Sequence, residues 1–282
     1  MTAIRPASAA RTASRAMGLV FEHRRGRTVL AHGYAEPPLR VARTFDLHGA
    51  AYAILVCAGP GVFSGETLRQ AIRIGRGARV VLTSQAALQV HPSAAASAAP
   101  AVLRHSYVVE SGAELHCHWD PVIPFAGARV DQRFDLQMDD DSRLDWSDAV
   151  MAGRVSRGER WQFSAFAQEL VVRVGRRMAY LERYAVTPCD RGVRRQWIAG
   201  QATRVATALL RHPAVARETV EDAHRRLAAI TDIVAAVDLL EPSLALARIM
   251  AADGASFGRA RTSYRDWTLR SIFDRPELAG RK

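Results

Sequence analysis

Short runs of β-branched and aromatic residues, separated by turns, dominate the chain from about residue 17 to residue 187. The clearest runs are Ala51–Cys57, Arg79–Thr83, Ser106–Val109 and Leu170–Val174. Branched and aromatic side chains pack well on a pleated surface, so these segments favour strands. The pattern predicts a β-rich body over residues 18–187 and a mainly β fold.

Three turn segments in this region recur at similar intervals. They are Gly75–Ala78, Ser111–Ala113 and Asp139–Ser142, and each lies between two strand-like runs. The steps from Ala78 to Ala113 and from Ala113 to Ser142 are 35 and 29 residues. Repeats of this length are typical of stacked structural units. We therefore predict stacked strand-turn-strand units in a β-solenoid-like or sandwich-like body.

The composition changes after Pro188 towards Ala, Leu, Arg and Glu. Apolar residues from Val220 to Val237 follow a 3-4-3-4-3 spacing, which predicts one long amphipathic helix that begins near Thr219 and stops at Pro242. Further helices are predicted over residues 243–252 and from Ser263 to just before Asp274. We expect this small helical region, residues 188–282, to pack on the β body or on a partner.

The charged and sulfur-containing residues restrict the function. The chain has 39 Lys and Arg residues, but its one lysine is Lys282, so a P-loop or a Schiff-base site has no internal amine. The three cysteines are far apart and form no CxxC pair, which favours a reducing compartment. No apolar stretch is long enough to span a membrane, and residues 1–17 read as a flexible tail. We expect a cytoplasmic protein without a membrane partner.

Charge is also segregated along the chain. Residues 101–150 contain ten acidic residues and four arginines, a net charge of −6, although the whole chain carries +11. A nucleic-acid-binding protein spreads positive charge over a continuous face, so a nucleic acid is not the expected partner. Acidic and basic surfaces on one body fit protein partners better.

Two segments contain residues that could carry chemistry. Gly59–Glu66 follows a predicted strand and could cradle a small anion or deliver Glu66 into an interior, but no lysine and no helix pattern follow it. The run His116-Cys117-His118 contains metal-ligand types, yet on a strand the two histidines share one face while Cys117 points to the other. No nucleophile motif such as GxSxG is present. The chain is therefore not predicted to be an enzyme.

An ordered series of motifs resembles the urease accessory protein D family, also called UreD or UreH. The matching segments are Gly26–Leu30, Pro38–Val41, Gly61–Glu66, Gly77–Ala87, Asp120–Ala128 and Gly153–Trp161, with closing segments Leu246–Met250 and Trp267–Arg270. They keep the family's order over roughly residues 18–270.

The resemblance implies a scaffold that helps to insert nickel into apo-urease. Its implied partners are the helical accessory protein F, the accessory GTPase G and apo-urease. The resemblance neither implies nor excludes a homodimer. No tightly bound cofactor is implied, and nickel would be in transit. Weak oxygen ligands along a passage can pass on Ni²⁺ without trapping it.

The nickel-passage residues implied by position are Glu66, Asp148 and Glu182, with Cys57, His116 and His118 ranked lower. Alternatively, these acids pair with the nearby arginines Arg154 and Arg183. Glu66 and Cys57 also depart from the family pattern, which has Asp and His there. The competing functions are a divergent β-scaffold paralogue that binds another client protein or a small anion at Gly59–Glu66, and an RNA-binding module.

Overall fold

The computed structural model describes residues 14–92, 99–188, 192–195 and 199–280. These residues form nineteen strands and two α-helices. In chain order they are β1 (Ser14–Arg24), β2 (Arg27–Ala35), β3 (Leu39–Val41), β4 (Phe45–Leu47), β5 (Ala50–Cys57), β6 (Val62–Phe63), β7 (Thr67–Ile74), β8 (Arg79–Ser84), β9 (Leu88–His91), β10 (Ala101–Val109), β11 (Glu114–His118), β12 (Val122–Pro124), β13 (Arg129–Met138), β14 (Arg143–Met151), β15 (Ala165–Val174), β16 (Arg177–Val186), β17 (Arg204–Arg211), α1 (Arg217–Ala228), β18 (Ile233–Glu241), β19 (Leu244–Ala251) and α2 (Gly254–Trp267). The mainly β prediction is confirmed.

The strands belong to two large mixed sheets. The first sheet has the order β16-β15-β13-β10-β7-β1-β2. The second sheet has the main order β18-β19-β17-β14-β11-β8-β5-β3, with β4, β6, β9 and β12 paired beside it. Strands β7, β10, β13 and β15 are parallel neighbours in the first sheet, as β5, β8, β11 and β14 are in the second.

The three predicted turns connect the two sheets and stack on one another. Each leads from a strand of the first sheet to a strand of the second: β7 to β8, β10 to β11, and β13 to β14. Backbone hydrogen bonds join neighbouring turns, from Gly77 N–H to the carbonyl of Ser111 and from Arg143 N–H to that of Ala113. Each coil therefore adds one strand to each sheet, and the predicted stacking of strand-turn-strand units is confirmed.

A continuous apolar core fills the space between the sheets. Phe134 of the first sheet meets Trp146 of the second edge to face, with ring centroids 4.9 Å apart. Trp119 donates a hydrogen bond of 3.0 Å from Nε1 to the hydroxyl of Tyr107. Burial of these large side chains stabilises the stacked coils by holding the two sheets face to face.

The C-terminal region differs from its prediction. The long helix predicted up to Pro242 was wrong beyond Ala228, since residues 233–241 form strand β18. The helix predicted over residues 243–252 was also wrong, because these residues form β19 and pair with β17 and β18. The third helix was placed too late: α2 begins at Gly254, and its π-helical continuation Thr268–Ile272 ends before Asp274, as predicted.

Both helices cover the outer face of the second sheet. Val220, Ala223 and Leu227 form the buried stripe of α1, and Phe257 and Tyr264 of α2 pack in the same cluster. Thr219 lies inside the first turn of α1, where its hydroxyl accepts a 2.8 Å hydrogen bond from the backbone of Ala216.

The predicted N-terminal tail overlaps the first strand. Residues 1–13 of that tail lie outside the described residues, and β1 begins at Ser14. Within the described parts of the chain, no helix is both long and apolar enough to cross a bilayer.

Candidate functional site

A cavity of about 70 Å³ lies between the two sheets. Its walls are mainly apolar, but seven polar side chains line it: Cys57, Gln70, Ser84, His105, Asp120, Gln132 and Asp148. Cys57 and Asp148, two of the residues that the sequence put forward, therefore share one interior space.

Asp148 is buried on the inner face of β14. Its Oδ2 accepts a 2.9 Å hydrogen bond from Nε2 of Gln168, which belongs to β15 in the opposite sheet. Burial, followed by the charge of Glu182, raises the pKa of Asp148 to about 7. The buried carboxyl group therefore keeps its proton to a higher pH than an exposed Asp does.

Glu182 lies on β16 and does not line the cavity. Its carboxylate pairs with the guanidinium of Arg248 at 2.5 Å, and Arg248 also donates a 3.0 Å hydrogen bond to the hydroxyl of Thr207. The influence of Glu182 on the pKa of Asp148 shows that the two carboxyl groups interact electrostatically.

The alternative pairing of the candidate acids with Arg154 and Arg183 was wrong. Arg154 forms its ion pair with Glu159, and Arg183 pairs with Glu169. Glu182 is paired with an arginine, but with Arg248 of the second sheet.

Cys57 ends strand β5 and also lines the cavity. Burial, followed by the charge of Glu66, raises the pKa of its thiol. Glu66 is half-buried, and its Oε2 accepts a 2.9 Å hydrogen bond from the backbone N–H of Phe63. Glu66 does not line the cavity but interacts electrostatically with a residue that does.

The Gly59–Glu66 segment cannot cradle an anion with its backbone over residues 63–66. The N–H groups of Phe63, Ser64, Gly65 and Glu66 all donate to acceptors within the protein. Gly61 is required by packing: its φ is +123°, and a Cβ there would lie 2.2 Å from the carbonyl oxygen of Gln89.

His116 and His118 face away from the cavity, on the outer side of the second sheet beneath α2, whereas Cys117 belongs to the core between the sheets. His116 Nε2 is 2.7 Å from Glu114 Oε1, and His118 Nε2 is 3.3 Å from Asp145 Oδ2. Burial opposes a charge on His116, but the nearby carboxylates of Asp145 and Glu114, the latter accepting a hydrogen bond from its ring, outweigh burial and raise its pKa to about 9. The structure thus separates this histidine pair from the other candidates.

Among the described residues, no group of three or more His, Cys, Asp or Glu side chains is arranged to hold a metal ion. The cavity nevertheless contains polar groups that the sequence did not single out, namely Gln70, His105 and Gln132. Each is the one polar residue at an inward-facing position between apolar ones, as in Leu103-x-His105-x-Tyr107. A polar residue among apolar inward-facing positions is therefore the sequence signal that could have identified these cavity residues.

The sequence of the chain is similar to that of known proteins. Residues 14–281 match the family model described as UreD urease accessory protein. The chain belongs to the UreD family. Curated relatives named urease accessory protein UreD include those of Sorangium cellulosum, 36% identical over 60% of this chain and 53% of the relative, and Trichodesmium erythraeum, 32% identical over 52% and 54%. The relative from Deinococcus radiodurans is 29% identical over 63% of this chain and 64% of its own length. The chain thus spans about half the length of the first two relatives and somewhat more of the third.

Proposed function

We propose that this UreD protein is a non-catalytic cytoplasmic scaffold that helps to insert nickel into apo-urease, together with accessory proteins F and G. One observation carries the proposal: Cys57 and Asp148 line the same inter-sheet cavity. Glu66 interacts with Cys57 at one side, and Glu182 interacts with Asp148 at the other. In the proposed route the ion passes these four residues in the order Glu66, Cys57, Asp148 and Glu182.

The chemistry of this series suits transit better than storage. Carboxylates bind divalent cations but release them, whereas a compact cluster of His and Cys ligands would hold nickel. Asp148 can give up its proton near pH 7 when a cation arrives and recover it when the cation leaves, since its pKa is about 7. Nickel is the cargo in this proposal, and the GTP hydrolysis belongs to the partner G.

The test is activation of apo-urease in the presence of F, G and Ni²⁺ by a variant with Glu66, Asp148 and Glu182 changed together to Ala. We expect it to bind F normally and to lose most of the activation. A matched variant with the exposed acids Glu218, Glu221 and Asp238 changed to Ala should retain full activation. Full activation by the first variant would remove the carboxylate passage from the proposal.

The identity of the client requires a separate experiment. Co-purification of the full chain with F and with apo-urease tests the scaffold role without any metal. Failure to capture either protein would favour a divergent paralogue that serves another client.

A further inference from the structure

His105 is a partly buried histidine whose tautomer is set by its neighbour. It lies at an inward-facing position of β10, directly beside Gln70 of β7. Its Nδ1 is 3.1 Å from Gln70 Oε1. An amide oxygen can only accept a hydrogen bond, so Nδ1 carries the hydrogen and Nε2 has the free lone pair.

The imidazole is also held in place and kept neutral. Its ring stacks on Phe134, with centroids 4.5 Å apart and planes 22° from parallel. Burial, followed by the charge of Arg104, lowers the pKa of His105 to about 3. A nitrogen ligand must be unprotonated to bind a metal, and His105 meets that condition at neutral pH.

A second donor lines the same cavity. Gln132 of β13 is only 3% exposed, and its side-chain Oε1 has no hydrogen-bond partner. A buried carbonyl oxygen without a partner loses free energy, so such an atom marks a place for a ligand or a water. Gln132 lies opposite Leu103, two residues from His105 on the neighbouring strand, and both side chains line the cavity.

We infer that Nε2 of His105, with Oε1 of Gln132, forms a nitrogen-containing station in the cavity between Cys57 and Asp148 that favours Ni²⁺ over harder divalent cations. This inference rests on the proposed passage function. Carboxylates and amide oxygens accept Mg²⁺ and Mn²⁺ readily, whereas imidazole favours nickel, zinc and copper. The remaining coordination positions are filled by water, which keeps the station weak enough to release its ion.

Gln70 acts as a positioning residue for this station. Its hydrogen bond from Nδ1 of His105 fixes the ring and directs Nε2 away from Gln70, as outer-shell partners of metal-binding histidines do.

The experiment measures metal binding by the full chain without urease. Ni²⁺ and Mn²⁺ are titrated separately into protein labelled with ¹⁵N-histidine, and the His105 Nε2 signal is assigned by its absence in His105→Gln. We expect Ni²⁺ to perturb the His105 Nε2 signal before it perturbs the signals of the other histidines. His105→Gln should weaken Ni²⁺ binding about tenfold or more and leave Mn²⁺ binding within about twofold. His32→Gln, at an exposed position of β2, should change neither.

A second variant guards against simple loss of folding. Gln132→Met removes an unpartnered buried oxygen, so the protein should unfold no more easily than the wild type, yet Ni²⁺ binding should weaken. An unchanged preference for Ni²⁺ over Mn²⁺ in His105→Gln would overturn the station. Full urease activation by the triple carboxylate variant would instead refute the passage, so the two failures are distinguishable.

Discussion

Gln168 donates a hydrogen bond of 2.9 Å to Asp148 across the space between the two sheets, and both side chains are buried. This bond satisfies one carboxyl oxygen but supplies no positive charge. The carboxyl group is therefore expensive to ionise in the folded protein, and its pKa of about 7 follows from that cost.

Replacing Asp148 with Asn should stabilise the protein above neutral pH. The pKa of an unfolded Asp is about 3.9, so the folded carboxyl holds its proton over a higher pH range. Its contribution to stability is fully present below about pH 4 and is lost as pH rises through about 7. Asn keeps the acceptor for Gln168 and has no charge. We expect Asp148→Asn to be more stable than the wild type by on the order of 3 kcal/mol at pH 8, and similar to it at pH 4.

Urea denaturation at pH 4, 6 and 8 measures this difference, and the same variant should be impaired in urease activation. Asp238→Asn, an exposed substitution, is the control and should show no pH-dependent gain. A constant difference between the Asp148 variant and the wild type over this pH range would contradict the raised pKa.

Replacing His116 with Gln should destabilise the protein in a pH-dependent way. His116 contacts Glu114, and its Nδ1 lies 3.7 Å from Asp145, so its loss leaves buried carboxylates without this cation. Removing one partner from a buried ion pair costs about 3–5 kcal/mol. Because the pKa of His116 is raised to about 9, its stabilising effect is complete below about pH 6.5 and disappears as pH rises through 9.

The measurement is the urea midpoint of the wild type and of His116→Gln at pH 6.5, 8 and 9.5. The difference should shrink at the highest pH, while His32→Gln should be near neutral throughout. A difference that stays the same from pH 6.5 to 9.5 would mean that His116 is not the charged partner.

Replacing Thr268 with Val should loosen the C-terminal segment. Thr268 is fully buried at the start of the π-helical segment, and its Oγ1 lies 3.0 Å from Asp145 Oδ2. Hydrogen bonds to charged groups contribute about 1.5–3 kcal/mol, so a loss of that size is expected. Amide hydrogen exchange over residues 268–273 should accelerate. Thr262→Val, at an exposed position of α2, should leave exchange unchanged.

Replacing Gly61 with Ala should be strongly unfavourable. The new Cβ would meet the backbone of Gln89 at a positive φ, and the neighbouring strand cannot yield as a flexible side chain would. We expect a loss above about 2 kcal/mol in the free energy of unfolding. Gly18→Ala has open space around the Cβ and should change it by less than about 1 kcal/mol. Equal effects of the two substitutions in thermal denaturation would contradict the packing argument.

The coil architecture could be predicted because local signals and tertiary structure agree there. Gly75–Ala78 and its two counterparts carry turn residues between branched strands, and the same turns stack in the fold. The C-terminal strands misled the prediction because Ala206, Ala208, Ala245 and Ala247 give them a helix-like composition. These small residues lie in the apolar cluster under α2, where larger side chains would hold the helix away from the sheet.

The 3-4-3-4-3 spacing of apolar residues from Val220 to Val237 does not mark one continuous helix. The first three of these residues, Val220, Ala223 and Leu227, belong to α1 and are buried. Val234 lies on β18 and is 66% exposed. The helix ends at Ala228, Asp232 with φ of +65° precedes β18, and Pro242-Ser243 turn the hairpin between β18 and β19. These two signals lie in the sequence but are weaker than the apolar periodicity.

The candidate site was only partly accessible from the sequence. Cys57 and Asp148 line one cavity only because four strands pair in the order β5-β8-β11-β14. The spacing of the two residues along the chain does not indicate this pairing. Glu182 pairs with Arg248 where the sequence suggested Arg183, because β19 approaches β16 in the fold.

The order of strands in the second sheet sets the length of the proposed nickel route. Cys57 ends β5 and Asp148 lies on β14, and the order β5-β8-β11-β14 puts three strand spacings between them. At about 4.8 Å per spacing, the lateral span is about 14 Å, and the ion would travel across the strands instead of along them. Since every coil contributes one spacing, the gain or loss of a coil between them would change the distance from Cys57 to Asp148 in fixed increments.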